Sequence, residues 1–121
     1  MIPGFEKETC PLNDFEKSLV PIIIKGLSTK VGQDMAIHGA SICQKMSEAG
    51  KTLTEPRLRK IVNFIRSEGI LPVIATSKGY YVSYDATVIE TQILSLNSRR
   101  DAIDVSIKGL EKMLLKIKTN G

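Results

Sequence analysis

The sequence predicts a mainly α-helical fold with one small β-hairpin (α+β), followed by a long C-terminal coiled-coil helix. Three observations predict it. "TEPRLRKIVNFIRSEG" carries a helix start, an aliphatic stripe and a glycine stop. "ILPVIATSKGYYVSY" carries two β-rich runs joined by a Lys-Gly turn. From Ile89 onward, apolar residues recur at alternating steps of four and three. A chain of 121 residues suits one domain with an appended element. The expected division is a flexible N-terminal arm (1–12), a folded domain (13–85) and a C-terminal dimerisation helix (86–121). With no Trp, three Phe and three Tyr, the core must be built mostly from Ile, Leu, Val and Met.

After the arm, "NDFEKSLVPIIIKGLSTKVG" opens on a capping residue, Asn13 or Asp14. Phe15, Leu19, Ile22, Ile23 and Leu27 recur near helical spacing and are expected to face the core. Pro21 removes a backbone donor, which predicts either a kink or a fresh helix start with Pro21 in its first turn. "DMAIHGASICQKMSEAG" predicts an extended piece at Met35–Ile37 and a second helix. Ile42, Cys43 and Met46 form its inner face, His38 stands at its cap, and Gly50 ends it.

The next helix, Thr54–Glu68, is the most clearly signalled. Thr54 is the N-cap, Glu55 complements the positive helix end, and Pro56 sits where its missing N–H has no intrahelical partner. At about 100° per residue, Leu58, Ile61, Val62 and Ile65 share one face. Pro56, Lys60, Asn63 and Ser67 lie opposite, flanked by Arg57 on one side and Arg59 and Arg66 on the other. The inner face is therefore aliphatic and the outer face cationic with one amide.

Two strands follow, Leu71–Thr76 and Tyr80–Tyr84, with Gly79 in the connecting turn. Pro72 fits only at a strand start or an edge. Tyr80 and Tyr81 point to opposite faces, so one is expected in the core and the other outside. In the last third, Ile93, Arg100, Ile107 and Leu114 occupy heptad position a. Ile89, Leu96, Ile103, Leu110 and Ile117 occupy position d. Arg100 alone is out of type. The stripe is narrow and nothing else in the chain is long enough to cover it, so pairing with a second copy is expected. The alternative is that its first half packs on the domain and its tail stays exposed.

Net charge is +4, and its placement is uneven. Lys51 to Tyr80 holds six basic residues against two acids, and the remainder balances at eleven against eleven. A basic island on a neutral body is the footprint of a polyanion binder. One His and two distant Cys cannot close a tetrahedral metal shell, so neither a metal nor a cofactor is expected. There is no phosphate-cradling glycine motif and no nucleophile–base set, so the chain is not expected to be an enzyme, and no small-molecule ligand is evident. No apolar run approaches the roughly 20 residues that span a bilayer, and the N-terminus lacks the pattern of a secretion signal. Cys10 and Cys43 without CxxC spacing suit a reducing compartment, so a cytoplasmic location is expected.

The order of helix, extended piece, helix, turn, basic helix and hairpin resembles the winged helix-turn-helix family. "SICQKMSEAGKTLTEPRLRKIVNFIRSEGIL" resembles its helix-turn-helix and "PVIATSKGYYVSY" its wing. The stretch "RKIVNFIRSEGIL…ATSKGYYV" is also similar to small uncharacterised phage and prophage proteins of this layout. The resemblance implies a sequence-specific double-stranded DNA-binding protein, a dimeric phage- or prophage-type transcriptional regulator. In such a protein the Thr54–Glu68 helix enters the major groove. Thr54, Arg57, Arg59, Lys60 and Asn63 would then contact bases and phosphates, Ser41 and Lys45 would touch phosphates from the preceding helix, and Lys78, Tyr80 and Tyr81 would serve the wing. Two copies would read a pseudo-palindrome with half-sites about one helical turn apart. A wing with a single Lys departs from the pattern and leaves discrimination to the helix. The runner-up reading is a winged-helix protein-interaction or DNA-replication accessory protein.

Overall fold

The computed structural model describes residues 11–120, so the expected arm lies outside it except for Pro11 and Leu12. Leu12 is buried and joins the core, so the domain begins before Asn13. The chain divides into two compact units between Asp85 and Ala86.

In the first unit, α1 spans Asp14–Ser28 and starts on a reciprocal cap. The Glu16 N–H donates to Asn13 Oδ1 (2.8 Å), and the Asn13 N–H donates back to Glu16 Oε1 (2.9 Å). The helix runs unbroken through the exposed Pro21, so there is no fresh start there. Leu19, Val20, Ile23 and Leu27 face the core. Phe15 and Ile22, expected inside from their spacing, are 39% and 40% exposed. The buried stripe of α1 is narrower than the apolar one, and the first turn sends Glu16 inward instead of Phe15.

A 3-10 turn at Gln33–Met35 leads to an extended Ile37. The second helix, α2, spans Gly39–Glu48, with Met46 buried and Ile42 and Cys43 half-buried against the core. His38 holds the N-cap position but is exposed and makes no capping hydrogen bond. The helix closes with the Lys51 N–H on Met46 O (2.9 Å) and the Gly50 N–H on Ser47 O (3.0 Å). The third helix, α3, spans Glu55–Ser67 and begins as expected, with Thr54 Oγ1 accepting from the Arg57 N–H. Leu58, Ile61, Val62 and Ile65 are all buried.

Strands β1 (Val73–Thr76) and β2 (Gly79–Val82) form an antiparallel hairpin over a two-residue loop, Ser77-Lys78. Both are shorter than expected at their outer ends. A hairpin this short is marginal alone. Here the far side of β2 is also paired, to the segment between α1 and α2. Tyr80 and Ile37 exchange both backbone hydrogen bonds (2.8 and 2.9 Å), and the Val82 N–H donates to Lys30 O (2.8 Å). Gly79 makes this approach possible. Its φ is +116°, and a Cβ there would lie 2.3 Å from Ile37 O. Tyr81 is buried, while Tyr80 is half-buried against the core, so neither tyrosine is fully outside.

The second unit is a single helix, α4, spanning Ala86–Asn120 without interruption at Gly109. None of its residues is buried. The heptad residues Ile93, Leu96, Ile103, Ile107, Leu110, Leu114 and Ile117 are all exposed, and Ile89 is half-buried. Arg100 and Asp101 form a loose exposed ion pair (3.9 Å), and Lys108 reaches Asp104 one turn back (2.9 Å). Among the described residues, no helix is long and apolar enough to cross a membrane.

Candidate nucleic-acid interface

The face of α3 opposite its buried stripe carries the candidate contacts. Arg57, Arg59, Asn63 and Ser67 are exposed there. The alternation is a direct consequence of helical spacing: four aliphatic residues anchor the helix and turn Arg57, Arg59 and Asn63 outward.

Lys60 departs from that expectation. It is a half-buried residue whose side chain is only 13% exposed, and its Nζ donates to Glu16 Oε1 at 2.8 Å. Glu16 is itself 2% exposed. The lysine is thus drawn off the outer face by a buried carboxylate, because a buried charge without a partner is costly. Arg57 is divided between two roles. Its Nε lies 3.7 Å from Glu16 Oε2 and its guanidinium sits 5.6 Å from the centre of the Phe15 ring, yet 43% of the side chain remains exposed. Burial alone would raise the Glu16 carboxyl. The hydrogen bonds from Lys60 and the Asn13 N–H, with the charges of Lys60 and Arg57, outweigh it and hold the group below the usual carboxylate value.

The remaining candidates are scattered around this helix. Thr54 is exposed, with its hydroxyl engaged as the α3 cap. Ser41 is half-buried and Lys45 exposed on α2. Lys78 is exposed in the hairpin loop. Tyr80 is part of the packing: its ring comes close to Gly39 at the start of α2. Arg66 serves the fold as well, with its Nε donating to Val73 O (2.9 Å) and tying the end of α3 to β1.

The chain matches no family model, no curated protein and no solved structure. Its function is therefore read from this geometry.

Glu16 and Phe15 are the site residues that spacing alone did not reveal. The signal for Glu16 was present: Asn13 followed three residues later by Glu is a capping box. Nothing local announces that the same carboxylate also takes Lys60, 44 positions away. Other chemistry has little to work with. Among the described residues, no three His, Cys, Asp or Glu side chains gather to hold a metal. Burial, and secondarily the Glu55 carboxylate, hold the Cys43 thiol above its ordinary value, so it stays protonated at neutral pH. An open apolar groove of about 190 Å³ runs between α1 and α2, lined by Ile22, Gly26, Ile37 and Ile42 among others, with Lys30 and Lys45.

Proposed function

We propose that the first unit is a winged helix-turn-helix that binds double-stranded DNA, with α3 in the major groove and the β1–β2 loop against the backbone. The protein is then a dimeric sequence-specific regulator of the phage or prophage type. The observation that carries this reading is the composition of the outward face of α3. Arg57, Arg59 and Asn63 stand exposed on a helix whose other face is entirely buried. Arginine can read guanine and asparagine can read adenine through paired hydrogen bonds, and the major groove admits one α-helix. The order of elements supports the same reading, with β2 paired both to β1 and to the segment before α2.

Lys60 takes no part in DNA contact on this reading. It positions α3 on α1 through Glu16 and leaves Arg59 and Asn63 as the readers, with Arg57 anchored beside them. Lys45 and Lys78 supply phosphate contacts. Association is strongly salt-dependent as a result, because each neutralised phosphate releases counterions.

The second reading, a winged-helix protein-interaction or replication accessory protein, draws on the single cation of the hairpin loop and on the exposed apolar stripe of α4. Mobility shifts of random duplex DNA at two salt concentrations separate the readings. Retardation at low salt that weakens steeply at moderate salt supports DNA binding. No retardation at low salt favours the interaction reading.

A further inference from the structure

We propose that α4 pairs with α4 of a second copy in antiparallel orientation, with Ile93 of one chain opposite Ile117 of the other and Arg100 opposite Leu110. This deepens the dimer of the preceding section, but it rests on α4 alone and not on DNA binding.

The need for a covering partner comes from exposure. Leu110 is 70%, Ile117 64% and Leu114 52% exposed, in a strict heptad over a 35-residue helix. Water excludes such a stripe from itself, and a matching helix is the shape that fits it. At roughly 60–100 Å² per apolar side chain, seven heptad residues from each chain bury about 800–1,400 Å². That reaches the lower range of specific interfaces, so a two-helix pair is a sufficient occupant.

Charge decides the direction. In a parallel pair every position a faces its own copy, so Arg100 meets Arg100 in the middle of the seam. Arg99 flanks it at position g, which brings four guanidinium groups together. The Arg99–Asp104 contacts that a parallel pair also makes lie at the rim, where solvent screens them. An antiparallel pair sets each Arg100 against an aliphatic residue and separates the two arginines. It also brings position e against position e.

Charge then selects the register. With Ile93 opposite Ile117, Glu90 of each chain falls beside Lys118 of the other, giving two attractive contacts against one Asp104–Asp104 contact at the centre. Sliding the helices by one heptad in the direction that covers Ile89 sets Glu90 against Glu111 twice.

The test is the distance between spin labels in the full chain without DNA. Cysteines are introduced singly at Thr91, Ser98 and Val105, in a Cys10→Ser, Cys43→Ser background whose helical circular dichroism matches wild type. The expected pattern is graded. Thr91 lies opposite Thr119 of the second copy, so the two labels at Thr91 are separated by about 42 Å along the axis. Ser98 labels are separated by about 21 Å along the axis, and Val105 labels lie level with one another. Equal distances at all three sites mean a parallel pair and overturn the proposal while leaving a dimer. The absence of any dipolar signal, with a monomer mass in sedimentation, overturns pairing altogether. Neither result bears on whether α3 binds a duplex.

Discussion

Lys60 Nζ donates to Glu16 Oε1 at 2.8 Å, joining the middle of α3 to the first turn of α1 across 44 residues of sequence. Both side chains are largely shielded from water. The contact converts one cation of the basic helix into a structural element, and this changes what mutation of that helix should do.

Lys60→Ala leaves Glu16 buried with only the more distant Arg57 opposite. Loss of one member of a buried pair costs about 3–5 kcal/mol, and the remaining arginine should reduce that to about 2–3 kcal/mol. Lys78→Ala, in the exposed hairpin loop, should stay within about 0.5 kcal/mol of wild type. Urea unfolding compares them directly. Equal midpoints for the two variants would show that the Glu16 contact is incidental.

The same carboxylate predicts an acid limb in stability. Its folded value lies below the usual 4.5, so between the two values the unfolded chain binds more protons than the folded one. The contribution of Glu16 is therefore fully present above about pH 4.5 and is lost as pH falls through the folded value. Glu16→Gln should lower stability at neutral pH and flatten the decline on acidification. Thermal melts from pH 7 to pH 3 check this, and parallel curves for the two proteins would remove Glu16 as the titrating group.

Much of this architecture is legible in short windows of sequence. Thr54, Pro56 and Gly69 bracket α3, and its aliphatic stripe repeats within that span, so every signal lies inside the helix it describes. The hairpin is announced the same way, by Gly79 between two β-rich runs. What escaped is tertiary. Helical spacing assigns Phe15 and Ile22 to the core, yet α1 buries a narrower stripe than its apolar residues offer. Lys60 reads as an outward cation because the carboxylate that draws it in belongs to a distant turn. Tyr80 reads as a wing residue because its pairing with Ile37 joins segments more than forty residues apart.

Gly79→Ala tests that pairing. The added methyl would meet Ile37 O at 2.3 Å in a backbone conformation that L side chains rarely adopt. The expected loss is at least about 2 kcal/mol, with hydrogen exchange quickening at Tyr80 and Val82. An unchanged melting temperature would mean that the segment before α2 is not held against β2.

The antiparallel pair has a consequence for DNA. The pair joins two first units, and so two copies of α3, in one particle. Beads carrying one duplex and loaded with protein should capture a second, labelled duplex. Ile107→Asp should abolish this capture while leaving retardation of a single duplex measurable. Capture that survives the substitution would dissociate bridging from α4.

The central claim is that the outward face of α3 reads duplex DNA, and fluorescence anisotropy of a labelled duplex selected from a random pool by the wild-type protein tests it most directly. Wild type should bind, and Arg59→Ala combined with Asn63→Ala should weaken binding at least tenfold while helical circular dichroism is retained. Equal binding by the two proteins, or none by wild type, would contradict the account.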